Sequence, residues 1–161
     1  MKISEDYKMI RSFLKEQKVK NHYVPDVGIV TVPKYSSDET YTFEVYDDPA
    51  LLVCTALLHR RATSAEIPKM TDFANRLNGH LAAVRAHVDA KNGEFKLNHS
   101  TYFLKDDLSH ADIRQCWDHL QWVINVYGQS FDFVYSDEWT AEEEVANMAE
   151  LLAEGYGQSA D

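Results

Sequence analysis

The sequence predicts an α+β fold, an antiparallel sheet of about five strands with helices packed mainly on one face. Two patterns and the length predict it. Tyr41, Phe43 and Val45 alternate with Thr42, Glu44 and Tyr46, the period-two pattern of a half-buried strand, between further strand-like runs and short turns. Ile113, Cys116, Trp117, Leu120, Ile124 and Tyr127 instead recur at the spacing of one helix face. The chain has 161 residues, 45% apolar and 26% charged. That length suits one domain that buries about 70% of its unfolded surface without disulfide or metal staples.

The elements follow in the order α-β-β-β-α-β-β-α. Ser4 caps a first helix, with Glu5 and Asp6 favouring its positive end and Ile10, Phe13, Leu14 and Gln17 on its inner face. Asn21 to Asp26 breaks the pattern at Pro25. Val27 to Val32 is rich in β-branched residues and stops at Pro33. Lys34 to Thr40, which holds two serines, reads as a loop. The alternating strand from Tyr41 follows, then a turn at Asp47-Asp48-Pro49. Leu51 to Leu58 is apolar on both sides, as expected of a central strand. These three strands form a meander.

A second helix starts near Thr63 or Ser64, with Glu66 placed for a capping box and Pro68 tolerated in the first turn. Met70, Phe73, Ala74 and Leu77 make its apolar face. Leu81, Val84 and Val88 could continue that stripe. Asn78-Gly79 is a good terminator, however, and Val84, Ala86 and Val88 alternate with polar residues, so a strand is preferred. Asn92-Gly93 then sits where a two-residue hairpin turn belongs, and Phe95 and Leu97 resume the alternation. Ser109 with Asp112 opens the third helix, and Gly128 is placed to end it. Phe131 to Trp139 is too apolar for a free linker and should pack back on the body. Thr140 with Glu143 starts a last helix, with Val145, Met148, Ala149 and Leu152 as a modest stripe and residues 155–161 frayed.

Charge divides the chain more sharply than composition. The formal net charge is −10, yet residues 137–161 carry eight acids and no Lys or Arg. Residues 1–136, the α+β body, hold 18 acids against 16 bases. The first twenty residues lean the other way, with six bases against three acids. A near-neutral body with an acidic end repels phosphates and anionic lipid, so neither nucleic acid nor membrane is an expected partner. The acidic segment reads as a solvated helix face, or more sharply as one that docks on the basic first helix of the same or a second subunit. No apolar run approaches the roughly 18 residues of a membrane span, and no export signal opens the chain. Cys54 and Cys116 make neither a disulfide framework nor a CxxC pair. A reduced, cytoplasmic protein is expected.

The order of elements, with a few short strings, carries a resemblance. Phe13-Leu14-Lys15-Glu16 ends the first helix, and Leu51-Leu52-Val53-Cys54-Thr55-Ala56 forms the long strand. Phe73-Ala74-Asn75-Arg76-Leu77-Asn78 is followed by the hairpin through Lys91-Asn92-Gly93-Glu94-Phe95, then by Leu108-Ser109 opening a helix that contains Trp117. Over residues 5–135 this resembles the YbjN-like family, whose fold is similar to that of the small acidic chaperones of type III secretion. The aromatic segment and acidic helix after Tyr135 fall outside the pattern. The resemblance implies no catalytic residues. It implies a protein-binding module, a homodimer, that holds a client or regulatory partner on apolar surface.

The residues themselves point the same way. Asp106, Asp107, His110 and Asp112 could offer metal ligands, but Asp is expected at a helix start for capping, so no metal or cofactor is expected. His80 and His87, seven apart, would point to opposite faces of a strand, and His119 is expected in solvent. Both thiols lie on apolar stripes, where burial makes them inert. No phosphate-binding glycine motif occurs. Paired acids such as Asp47-Asp48 read as turn residues. With no catalytic group recognised, a non-enzymatic role is expected. Trp122 stands about 180° from the core stripe of its helix, with Gln115, His119 and Val126 on the same side. An outward indole wants a cover from the Phe131–Trp139 segment, the last helix or a second subunit. Trp122, Val126 and the Tyr41/Phe43/Val45 strand are therefore the expected contacts for a client or a second subunit. A regulatory or sensory module is the alternative, and a small enzyme with an unrecognised site the remaining one.

Overall fold

Four helices and six strands form among the residues that the computed structural model describes, 4–35, 38–105 and 107–157. Ser36, Ser37, Asp106 and the end of the expected frayed tail, residues 158–161, lie outside them. Ser4 accepts from the Tyr7 amide and starts α1 (Glu5–Glu16), which buries Ile10, Phe13 and Leu14. Where the sequence reads only as a break, β1 (Asn21–Val24) forms and makes a hairpin with β2 (Gly28–Thr31), the strand expected over Val27–Val32. Its turn has Pro25 at the second position and Asp26 at φ 64°, the positive φ that a type II turn needs at its third. The Val27 amide closes it on the Val24 carbonyl at 3.2 Å. This strand raises the count to six.

β3 (Thr40–Asp47) and β4 (Ala50–Arg61) follow, then α2 (Ile67–Asn78), β5 (Val84–Val88) and β6 (Glu94–Tyr102). The sheet order is β1-β2-β3-β4-β6-β5, antiparallel throughout. The turn from β5 to β6 spans five residues rather than two. The Lys91 amide donates to Asp89 Oδ1, and the Gly93 amide to the Asp89 carbonyl. Gly93 sits at φ 71°, where a Cβ would fall 1.9 Å from the Ala62 carbonyl oxygen. Both the turn and that close approach need glycine. On the outer edge, Asn78 donates to the Ala86 carbonyl and accepts from its amide, which closes β5 against further pairing.

α3 (His110–Tyr135) opens on the expected capping box and runs 26 residues, straight through Gly128. Phe131, Val134 and Tyr135 continue the stripe of Leu120, Val123 and Tyr127 and are buried. Their burial outweighs the roughly 1 kcal/mol that one internal glycine costs. The segment after Gly128 is therefore helix, and it does pack on the body. α4 (Ala141–Gly157) packs on α2 and α3, with Ala141, Glu144 and Val145 buried. Among the described residues its acids meet cations of α2 and not α1: Glu142 lies 3.4 Å from Arg76, and Asp137 before it 2.8 Å from Lys69.

The core lies between the helices and one sheet face. Leu52, Cys54, Ala56 and Leu58 of β4 point inward with Phe43, Phe95 and Leu97. On the other face no residue of β3, β4 or β6 is buried. The long apolar strand Leu51–Leu58 is thus covered on one side only, not on both as its sequence implies.

Candidate functional site

The uncovered sheet face is where apolar side chains meet solvent. Register places Tyr46 opposite Leu51 and Leu51 opposite Tyr102, so the three form one cross-strand row. Glu44, Val53 and Ser100 make the next row inward. Tyr46 and Tyr102 are 49% and 71% exposed, and the Tyr46 hydroxyl donates to Glu44 Oε2 at 3.0 Å. Leu104, just beyond β6, is also exposed. Sequence reasoning missed this row. Its signal was present in the alternation, since Leu51 and Val53 stand opposite in phase to Leu52 and Cys54 on a strand whose neighbours carry polar residues on that side.

Trp122 is 43% exposed, as its helical phase predicts, and leans edge-on against Tyr127 with ring centroids 6.4 Å apart. Val126, one turn on, is half-buried beside it. Neither expected intramolecular cover reaches the indole. The residues from Phe131 extend α3 instead of folding back, and α4 leaves Trp122 exposed. Tyr41, Phe43 and Val45 all point inward. Phe43 is fully buried and stacks on Trp117 with ring centroids 6.1 Å apart, and Tyr41 lies tilted against the same indole at 4.6 Å. Gln121 Nε2 donates to the Tyr41 hydroxyl at 2.6 Å, while burial pushes that phenol well above its ordinary pKa. These two residues build the core and are not offered to a partner. The same alternation that marks the strand assigns its apolar set to the covered face.

The titratable groups divide into inert and coupled ones. Burial pushes the Cys54 thiol far up and Cys116 up to about 12, which suppresses the thiolate a nucleophile needs. His119, expected in solvent, is half-buried with Nδ1 2.8 Å from His99 Nε2. His99 Nδ1 is buried and has no hydrogen-bond partner. The assignment that avoids an unpaired buried N–H has His99 Nε2–H donating to His119 Nδ1. Burial, then the facing His119, lowers the His99 pKa. Asp112 serves the Ser109 cap, and His110 lies 3.4 Å from Glu16. Among the described residues no three of His, Cys, Asp and Glu come together as metal ligands, and no helix is long and apolar enough to cross a membrane.

This arrangement, helices on one side and a bare antiparallel face on the other, has a counterpart among solved structures. The structure of YbjN from E. coli, proposed there as a transcription regulator, matches with a TM-score of 0.57 at 10% identity. The fold is YbjN-like. The match covers 76% of this chain and 91% of the YbjN chain. No protein-family model matches the sequence, and neither does any curated protein. At 10% identity the YbjN likeness extends to the fold, not to individual residues.

Proposed function

We propose that the protein is a non-catalytic, self-associating binding module of the cytoplasm that holds a segment of a client or partner protein on apolar surface. The observation that carries this reading is the row Tyr46, Leu51 and Tyr102 on a sheet face that none of the described helices covers. Aromatic rows of this kind give a docked segment large contact area at low entropic cost, while the surrounding polar side chains keep the face wet when empty. Trp122 and Val126 on the outer side of α3 offer a second, smaller apolar contact. Two thiols held neutral support a role without covalent chemistry. A regulatory module would use the same surfaces; the YbjN fold likeness, to a protein proposed as a transcription regulator, is what favours weighing it.

A photo-crosslinking residue placed at Tyr102 and, as a control, at exposed Lys91 tests the reading in living cells. The expected result is one discrete crosslinked product from position 102, absent from position 91 and lost when Leu51→Glu is added. Equal crosslinking from both positions, or a product insensitive to Leu51→Glu, rejects the sheet face as a binding surface. Turnover of a small molecule by the purified protein would reject the non-catalytic reading.

A further inference from the structure

Cations of this chain cluster at one corner, where the first helix ends. Arg60, Arg61, Lys69, Arg76 and Lys96 each have a carboxylate within 4.0 Å. Among the described residues, no carboxylate reaches that distance of Arg11, Lys15, Lys18 or Lys20. At about 100° per residue, Lys8, which pairs with Glu5, falls with Arg11 and Lys15 within roughly 60° on the outer side of α1. Lys18 and Lys20 extend the stripe past the helix end. A groove of about 580 Å³ runs along these side chains, with Val19 at its apolar end.

Lys18 carries the stripe through the cap of α1. The Lys18 amide bonds the Lys15 carbonyl at 3.0 Å and the Val19 amide the Leu14 carbonyl at 2.9 Å, the pair of bonds that ends a helix at a left-handed residue. Glycine takes that position without strain; here a lysine holds it at φ 59°. Asp137 holds the corresponding cap of α3 at φ 59°. The lysine places one more cation where the groove along α1 meets a neighbouring concavity of about 680 Å³ walled by Val32 and Trp117.

The same chain carries a matching stripe of opposite sign. On α4, Glu143, Glu150 and Glu154 fall within roughly 40° of one another, opposite the side that buries Ala141 and Val145. They span about 16 Å at 1.5 Å per residue, and Lys8 to Lys18 about 15 Å. Leu151, 52% exposed, stands beside these acids as Val19 stands beside the lysines. α4 packs on α2 and α3 while α1 packs on α3, β2 and β3, and among the described residues no ion pair joins the acids of α4 to the cations of α1. We infer that the cationic stripe of α1 receives the acidic outer face of α4 from a second copy of the chain. The net charge of −10 opposes association. At physiological salt, however, screening confines that repulsion to about 8 Å, so groups in contact decide the outcome.

This inference gives the proposed self-association a surface, and the test separates the two. Sedimentation velocity of the full chain is expected to show association that weakens at least about tenfold from low to high salt. Lys15→Glu/Lys18→Glu and Glu150→Lys/Glu154→Lys should each abolish it with unchanged circular dichroism, and mixing the two variants should restore it. Lys18→Gly, which keeps the cap, should weaken association while raising the unfolding midpoint by about 2–4 °C. A monomer at every salt and concentration overturns both self-association and the stripe. Association that survives either charge reversal, or ignores Lys18→Gly, overturns the stripe alone. If the mixture fails to restore association, the lysines serve a different acidic partner, and the second-copy assignment falls.

Discussion

The His99–His119 pair shows how one buried contact sets a pH response. His99 is 4% exposed, its Nε2–H satisfied by His119 and its Nδ1 facing protein with no acceptor. Protonating it would bury a charge and strand an N–H, so its folded pKa lies below the ordinary value of about 6.5. In the window below that value the unfolded chain takes up a proton that the folded chain refuses. Stability is therefore complete above about pH 6.5 and is lost as pH falls through the lowered folded pKa. His87, lowered by burial and by Lys96, acts in the same direction. Glu66, Asp89 and Glu143, lowered mainly by backbone hydrogen bonds, lose their contribution only in the carboxylate range. Replacing His99 by Leu should accordingly flatten the decline of the melting temperature between about pH 7 and 5, by up to one proton, while leaving His87's share in place. An unchanged slope would show that the pair exchanges protons freely in the folded state.

At the scale of elements, α3 carries the clearest test. Gly128 is inside the helix, and a Cβ added there would meet nothing within 4 Å. Gly128→Ala should stabilise the protein by about 1 kcal/mol, read as a rise of about 2–4 °C in the melting midpoint, with no change in helix content. A loss of stability would mean that the turn at Gly128 is needed for the packing of Phe131 on Phe73 and Phe95, whose rings lie 5.3 and 4.9 Å away. The same helix shows what local patterns can and cannot say. A glycine after a periodic stripe looks like a stop, but burial of the residues beyond it decides, and that is a tertiary fact. The capping residues of α1 and α3, the stripe of α2 and the alternation of β5 were all legible, since local geometry dictates them. β1 was not: four residues containing Asn21 and His22 have no apolar alternation, and its turn uses Asp26 where glycine would have announced it. For the site, Trp122 was legible from helical phase alone. The row of Tyr46, Leu51 and Tyr102 needed the register of three strands, which no single strand's sequence contains.

The whole molecule unites what its charge pattern separates. Read by charge, residues 137–161 are an appendix to a neutral body; read by packing, α4 completes the core. Ala141 and Val145 are buried, and the Ser130 hydroxyl donates to Glu144 Oε1 at 2.5 Å. Ending the chain at residue 136 would therefore do two things at once. It removes the burial of Val145, worth about 1.5–3 kcal/mol, and bares the faces of α2 and α3 that α4 covers. The exposed ion pairs of Glu142 and Asp137 add little. Against the 5–15 kcal/mol that holds a typical domain together, a loss of roughly 2–3 kcal/mol is large. The charge also falls from −10 to −2, so the uncovered apolar surface of α2 and α3 loses its electrostatic protection. Urea unfolding of the truncated chain should show a markedly lower midpoint, and a hydrophobic dye should bind it more strongly than the full chain. The new dye site is expected against α2 and the second half of α3, not around Trp122, which α4 leaves exposed already. A truncated chain with the midpoint of the full one would instead make α4 a solubilising addition, and residues 1–136 a self-sufficient core.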